Sequence, residues 1–341
     1  MSQRITADKP QSIGEMPDQE AATAPSPESR RVGSKLYPWL VLLSFLAGIL
    51  VSYLAWGNAL KASRAGTRVL VPDTPGSKAG PDLSALMREV NPPEGYSLSV
   101  RYGNLGPRLI ESGVIDYDAF AAVFQDGGDA LTPDQIKILR QGDDQPIVIT
   151  AGDAHFLLNF FWAVGLANKN SILTQGPMVQ NSAGRIEAFA STGGWTLGTK
   201  PVTDLYASVD LIPLTAEQQK RVEEVAAGVY RPCCGNPTIF PDCNHGMAML
   251  GLLELMASQD ASIDEMYQAA KYVNAYWFPQ QALEAALYLK ATSNTDFAQA
   301  DPRVVVGRGM FSGQGAQQVH AALSAQGLLP AEPGSGGGCG T

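Results

Sequence analysis

The chain has 341 residues, of which 45% are hydrophobic and 17% charged, so it can bury a sizeable core in one large domain or two small ones. Its formal net charge of −9, with no cluster of Lys and Arg outside the borders of one apolar segment, argues against nucleic acid as a partner. Four cysteines are too few for a disulfide framework in a chain of this length.

The first strong signal along the chain is an apolar segment. Residues 1–35 are rich in Pro, Ser, Glu, Ala and Gln and are predicted to form a disordered tail. Residues 36–56 then run for 21 positions without a charge, and as a helix they would span roughly 30 Å, the hydrocarbon core of a bilayer. Aromatic residues lie near both ends of this segment, as in an interfacial belt: Tyr37, Trp39, Tyr53 and Trp56.

A transmembrane helix accounts for this segment better than its alternatives. A buried soluble helix rarely stays apolar on every face for so long, and a cleaved signal peptide normally has a shorter apolar region nearer the N-terminus. Basic residues flank both ends, and the nearest ones, Arg31 and Lys35, favour a cytoplasmic N-terminus. Since nearly all foldable mass follows the segment, we predict a single-pass protein of the cell membrane, anchored in lipid, with an extracytoplasmic main domain.

Composition divides the rest of the chain into three parts. Residues 57–90 carry Gly, Pro, Ser and charged residues, which is typical of a linker. Residues 91–329 are predicted to form the folded domain. Residues 330–341 form a Gly-rich tail that contains Cys339 and should be flexible.

Helix signals dominate the predicted domain. A Ser or Thr N-cap with Gln or Glu three residues later begins three helices, at Thr132, Thr215 and Ser262. Apolar runs and periodicity predict further helices, over 155–166, 247–257, 280–292 and 314–326.

Strand signals are few. Residues 146–150 are one short candidate strand, and residues 185–197 are predicted to form a hairpin that turns at Gly193 and Gly194. The fold class predicted from these signals is mainly α, a transmembrane helix followed by a helical globular domain with a minor β-hairpin.

One short segment of the domain concentrates residues that can carry chemistry. Cys233, Cys234, Cys243 and His245 fall within thirteen residues, between the end of one predicted helix and the start of the apolar helix over 247–257. That second helix is apolar on nearly every face, so it is predicted to be the central buried helix.

The spacing of Cys243 and His245 restricts where the helix can begin if the two side chains are to share a ligand. At about 100° per residue, the two side chains share a ligand only if Cys243 lies at or before the helix N-cap, and Asp242 or Asn244 is the predicted cap. A cysteine there lies near the positive end of the helix dipole, which favours thiolate over thiol. Met249 lies one turn beyond His245 on the same face.

Three interpretations of these cysteines compete. In the first, Cys233, Cys234, Cys243 and His245 bind a metal ion; three thiolates and an imidazole suit zinc, and added thioether sulfur from Met249 suits copper(I). The spacing differs from the C-x2-4-C pairs usual in zinc sites. In the second, Cys243 forms a structural disulfide with Cys233 or Cys234. In the third, Cys243 or Cys234 is a redox or catalytic thiol with His245 as its base.

Two residues outside this segment are further candidates. Cys339 would either be a mobile thiol that reaches the main site or a tail cysteine with no role there. His155 begins a predicted helix and would add a ligand if that end faces the cysteines; otherwise it is a polar residue at a helix start.

Two stretches of the domain resemble a known group of sequences. They are FLLN…WAVGLANKN at residues 156–170 and YRPCCGN…FPDCNHGMAMLG at residues 230–251, accompanied by Gly193, Gly194 and Trp195. Together they resemble a group of uncharacterised bacterial single-pass membrane-anchored proteins. The resemblance implies a bacterial source and a domain that folds as one unit, and it carries no activity.

These observations lead to three functional hypotheses. The first is an extracytoplasmic, membrane-anchored protein that binds copper or zinc for trafficking or assembly. The second is a thiol–disulfide oxidoreductase that uses the same cysteines. The third is an accessory subunit of a membrane protein complex, stabilised by a structural disulfide. Whether the protein is an enzyme is left open by the sequence.

Overall fold

The computed structural model describes residues 82–128 and 130–329, which fold mainly into helices with one small sheet. Within these residues, no helix combines the length and the apolar character that crossing a membrane requires. Three predicted segments lie wholly outside them, namely the tail over 1–35, the transmembrane segment over 36–56, and the C-terminal tail over 330–341 with Cys339, and so do residues 57–81 of the predicted linker.

The elements follow one another with short connections. The longer helices are α1 (Leu83–Val90), α2 (Leu105–Glu111), α3 (Tyr117–Asp126), α4 (Pro133–Gln141), α5 (Ala154–Ala167), α10 (Ala216–Gly228), α11 (Asn244–Ser258), α12 (Ile263–Trp277), α13 (Pro279–Ser293) and α16 (Gly313–Ala325). The short ones are α6 (Ser171–Gln175), α7 (Pro177–Gln180), a 3-10 turn (Ile186–Ala188), α8 (Ala190–Gly193), α9 (Val202–Leu205), α14 (Pro302–Val305) and α15 (Arg308–Phe311). The strands are β1 (Tyr96–Gly103) and β2 (Asp143–Ile149).

Capping residues set several of the helix starts as predicted. At Thr132, Thr215 and Ser262 the side chain accepts the N3 backbone N–H, and the N3 side chain bonds back to the cap, so each forms a complete capping box. The helices predicted over 155–166, 247–257 and 280–292 are also confirmed, each within slightly longer bounds, and the one predicted over 314–326 is confirmed one residue earlier.

The predicted hairpin over 185–197 is wrong. That segment forms the 3-10 turn and α8, because its backbone groups bond locally, with the Gly193 N–H donating to the Phe189 carbonyl at 2.9 Å. The small sheet instead pairs β1 antiparallel with β2, and helices α2 to α4 separate the two strands along the chain. The strand predicted over 146–150 is confirmed as part of β2.

The folded domain begins earlier than predicted. Residues 83–90, assigned to the linker from their composition, form helix α1. Leu86 and Val90 are buried there in a hydrophobic cluster with α13 and α16, and this burial stabilises the helix. The Gly and Pro residues on either side of it are typical of a linker, so the sequence alone did not predict the helix. The linker prediction over 57–90 is therefore wrong at its C-terminal end.

Helices α5 and α11 cross at the centre of the main hydrophobic cluster. A Cβ atom on Gly165 would clash with the Met247 carbonyl, and one on Gly251 would lie 2.6 Å from the Phe161 carbonyl, so the two backbones are in contact. Helix α11 is buried from Gly246 to Ala257, which confirms that it is the central helix. Its rigid packing positions its N-terminus, where the cysteines lie.

Candidate metal centre

The segment over 229–243 folds back across the start of α11. Its two ends are held together by a bridge between Tyr230 and Pro237 and by the Thr238 N–H, which donates to the Val229 carbonyl. A contact from another element adds to this, because Gly313 at the start of α16 donates its N–H to the Cys234 carbonyl at 2.8 Å. The cysteine loop is thus fixed by neighbouring elements and by its own backbone.

Cys243 is the N-cap of α11, where Asp242 or Asn244 was predicted. Its Sγ accepts a hydrogen bond from the Gly246 N–H at 3.4 Å, the bond that a Ser or Asp oxygen normally accepts. The same sulfur also accepts a hydrogen bond from the side chain of Arg231. Cys243 therefore lies at the N-cap and His245 in the first turn, which is the arrangement that the two residues need in order to share a ligand.

The structure brings the predicted donors together. The Cys233 and Cys243 sulfurs are 3.6 Å apart, and the ligand atoms of Cys233, Cys243 and His245 all lie within 4.8 Å of one another. A second set, Cys234, Asp242 and Cys243, meets the same limit. These residues are thus close enough to hold a metal ion, with Cys243 common to both sets.

The cysteine sulfurs are not bonded to one another, and their spacing is compatible with a shared metal ion. All three cysteines that the structure describes are free, and 3.6 Å is far longer than the roughly 2.05 Å of an S–S bond. Two sulfurs bound to one tetrahedral zinc at about 2.3 Å each lie about 3.8 Å apart. The Cys233–Cys243 pair is close to that spacing.

Arg231, which no sequence motif marks as a site residue, lies at the centre of this site. Its side chain is 1% exposed, and its Nε donates to the Cys243 Sγ at 2.9 Å. Its Nη1 donates to the Asn236 carbonyl, and its Nη2 donates to the Phe240 carbonyl, each at 3.0 Å. The only sequence signal for this role is a charged residue directly before the Pro-Cys-Cys run.

Asp242 completes the charge balance around the guanidinium. One of its carboxylate oxygens forms an ion pair with Arg231 Nη2, and the other accepts from Asn236 Nδ2 at 2.7 Å. A buried guanidinium without an anion beside it would be strongly destabilising. Burial acts to lower the pKa of Arg231, but the negative charges of Cys243 and Asp242 outweigh this effect and raise that pKa. The site therefore contains a permanent positive charge.

Hydrogen bonds divide the three thiols into one anion and two neutral groups. The pKa of Cys243 is strongly lowered, because Cys233 and Cys234 donate to its sulfur and because Arg231 and the Gly246 N–H also stabilise the anion. The pKa of Cys233 is raised by its bonds to Cys234 and Cys243 and by burial. For Cys234, the hydrogen bond from Cys233 lowers the pKa. Its hydrogen bond to Cys243 and its burial raise the pKa by more, so the net shift is upward. Cys243 is therefore the cysteine that is ionised in this site.

His245 is held as a neutral imidazole. Burial is the main cause that lowers its pKa to about 4, and the positive Arg231 adds to this effect while the Cys243 anion opposes it. Its ring packs against Phe278 at 4.5 Å and Trp277 at 5.7 Å between centroids. A neutral imidazole has a nitrogen lone pair available for a metal ion.

Two other candidate ligands lie elsewhere. Met249 is 1% exposed within the main hydrophobic cluster, one turn beyond His245 on α11, and its contact with a metal ion stays a prediction. His155, at the exposed start of α5, packs against Phe124 with ring centroids 4.8 Å apart and does not belong to either ligand set.

Comparison with known proteins identifies no relative of this chain. Neither the models of protein families, nor the curated proteins, nor the solved structures give a match to this chain. The resemblance to bacterial membrane-anchored proteins stays a prediction.

Proposed function

We propose that this protein binds one thiophilic metal ion, copper(I) or zinc, through Cys233, Cys243 and His245, with Cys234 as an additional sulfur ligand. The observation that carries the proposal is the convergence of these donors within 4.8 Å around the Cys243 thiolate. Thiolates and imidazole are the ligands that both ions prefer.

Charge balance supports this assignment. Three thiolates and an imidazole leave a zinc complex with one net negative charge, and two thiolates leave a copper(I) complex with the same charge. The buried Arg231, whose Nε already bonds to Cys243, places a positive charge beside the complex in either case, and with Asp242 counted the site keeps one net negative charge. Because two of the three thiols are protonated without the ion, zinc bound by three thiolates releases protons from Cys233 and Cys234, and copper(I) bound by two thiolates releases one proton.

We place this metal site in a membrane-anchored, extracytoplasmic protein of a bacterium. The uncharged segment over 36–56 supports the anchor, the position of Arg31 and Lys35 supports the orientation, and the resemblance supports the bacterial source. A site whose three thiols are each partly accessible suits an ion that is acquired and passed on. We therefore propose a role in metal trafficking or in the assembly of a membrane protein complex.

Elemental analysis of the full chain tests the metal site. The protein is purified without oxygen, and bound metal is measured by mass spectrometry together with the number of free thiols. We expect about one copper or zinc ion per chain in the wild type and in Cys339→Ser, and none in Cys243→Ser. A metal-free wild type with all thiols accessible, or a Cys243→Ser variant that keeps its ion, would overturn the proposal.

A second candidate function, thiol–disulfide exchange, is favoured by the 3.6 Å approach of the Cys243 thiolate to Cys233. The thiolate would attack a disulfide of a partner protein, and Cys233 would then displace the partner as a dithiol while the Cys233–Cys243 bond forms. A metal-free protein that reduces a model disulfide, with loss of the reaction in Cys233→Ser, would support this candidate over the metal site.

A further inference from the structure

A cavity of about 430 Å³ opens beside the metal centre. It lies between the start of α5, the loop over 194–197, the first residues of α11 and the last residues of α12. His245 belongs to both places, because its ring lines the cavity while its nitrogen lies within 4.8 Å of the Cys233 and Cys243 sulfurs. A molecule in this cavity would thus be separated from the sulfurs by one imidazole ring.

Three indole rings belong to the lining of the cavity. Trp162 and Trp195 pack edge to face with centroids 5.1 Å apart, and Trp277 lies on the α12 side. Each indole N–H already donates to a backbone carbonyl, from Trp162 to Ser191, from Trp195 to Val114 and from Trp277 to Ala154. The rings are therefore held in place, and the surface that they offer a ligand is hydrocarbon and π-electron density.

The lining contains no ionisable carboxylate, ammonium or guanidinium group. None of its fifteen residues is Asp, Glu, Lys or Arg, although the chain as a whole carries 57 such residues, 24 basic and 33 acidic. A charged ligand would lose its hydration there, which costs far more than the transfer of a neutral ring. An anion would meet no Lys or Arg, and a cation would regain only the attraction of the indole faces, roughly 0.5–2 kcal/mol. Neutral polar side chains, among them Asn159, Thr196 and Asn244, can orient a ligand by a few hydrogen bonds.

The size of the cavity sets the size of its ligand. An apolar cavity of about 150 Å³ accepts one benzene ring, and pockets for small molecules start at about 300 Å³. A volume of about 430 Å³ therefore suits a planar molecule of about two rings.

We propose that this cavity, the aromatic cavity, binds an uncharged planar aromatic small molecule next to the cysteine–histidine site. The inference stands on the walls, the charge and the volume of the cavity, and it does not require a metal ion. Because His245 is shared, the bound molecule would pack against a ligand of the proposed metal.

Three probes with one ring system and different charges test this inference. The full chain is titrated by calorimetry with 2-naphthol, with the anion 2-naphthoate and with the cation trimethyl(2-naphthyl)ammonium. We expect saturable binding of one 2-naphthol per chain. Both charged probes should bind with an affinity at least roughly tenfold lower than that of 2-naphthol. Equal or tighter binding of a charged probe, or no saturable binding of 2-naphthol, would overturn the inference.

Variants that fill the cavity test its location. Ala151 and Thr196 both line it and are both exposed, so Ala151→Trp and Thr196→Trp place an indole in the cavity without disturbing the core. Ala321→Trp, on the exposed face of α16, adds the same side chain elsewhere. Binding of 2-naphthol should be lost in the first two variants and kept in the third. Unchanged binding in both filled variants, with the fold verified by circular dichroism, would contradict the inference whatever the metal content of the samples.

Discussion

The Nε of Arg231 lies 2.9 Å from the Sγ of Cys243, and both atoms lie at the N-terminus of the most deeply buried helix of the described chain. An arginine that is 1% exposed needs anions beside it, and a thiolate at this depth needs donors. Each residue therefore explains the other. The pair keeps one cysteine ionised in the absence of a metal ion, which prepares the site for a thiophilic cation.

Substitution of Arg231 should raise the pKa of Cys243. In Arg231→Lys the charge is kept but the fixed fork of donors is lost, so we expect a partial rise, and in Arg231→Met a larger one. The check is the pH dependence of Cys243 alkylation by iodoacetamide, read by peptide mass spectrometry. Arg303→Lys, at an exposed ion pair with Asp264, serves as the control and should leave the profile unchanged. An unaltered profile in Arg231→Met would refute the role of this pair.

Gly246 is required for the close approach of Arg231 to the first turn of α11. A Cβ atom at this position would lie 2.5 Å from the guanidinium carbon, and the side chain cannot move aside without losing its hydrogen bonds to Cys243 and Asn236. Gly246→Ala should lower the free energy of unfolding by about 1–3 kcal/mol and weaken metal binding.

A matched glycine in the same loop gives the control for this substitution. Gly235 is exposed, and a Cβ atom there meets nothing within 4 Å. Gly235→Ala should therefore change the free energy of unfolding by no more than about 0.5 kcal/mol. Both values come from urea denaturation, and equal effects of the two variants would show that the contact with Arg231 is unimportant.

Local signals explain why much of the helical fold could be predicted. A capping box such as Thr215 with Gln218 is formed by residues three positions apart, so the sequence contains the whole interaction. The same is true of Cys243 and His245, whose spacing demanded a cysteine at the helix start. Arg231 differs, because its role depends on the burial of its side chain against Gly246 and Asp242, and no local pattern reports that burial. Helix α1 was missed for a similar reason, since its partners are the distant helices α13 and α16.

Metal binding should stabilise the folded protein. The ligands converge only in the folded state, so an ion that binds there raises the free energy of unfolding by about 2.7 kcal/mol when its free concentration is 100 times the Kd. Thermal unfolding of the metal-free protein, with and without buffered zinc or copper(I), measures this shift. Cys243→Ser should show no shift with either ion, and a shift equal to that of the wild type would place the ion elsewhere.

Glu254 should make stability depend on pH. This α11 residue is 0% exposed and accepts a hydrogen bond from Asn170 Nδ2 at 2.6 Å, while its Oε2 is buried without a hydrogen-bond partner. Burial raises its pKa to about 8, with hydrogen bonds from Asn168 and Asn170 opposing the shift. The folded protein thus keeps a proton that the unfolded chain releases near its ordinary pKa of 4.5. Its stabilising effect is complete below that value and is lost as the pH rises through about 8.

The comparison with Glu254→Gln isolates this effect, because the amide has a similar shape and no proton to lose. Between about pH 5 and pH 8, the free energy of unfolding of the wild type should fall relative to the variant by about 1.4 kcal/mol per pH unit, which is the slope for one proton. Urea denaturation at three pH values measures the difference. Glu217→Gln, on the exposed start of α10, should follow the wild type. If Glu254→Gln also follows the wild type across this range, Glu254 is ionised in the folded protein and the expectation fails.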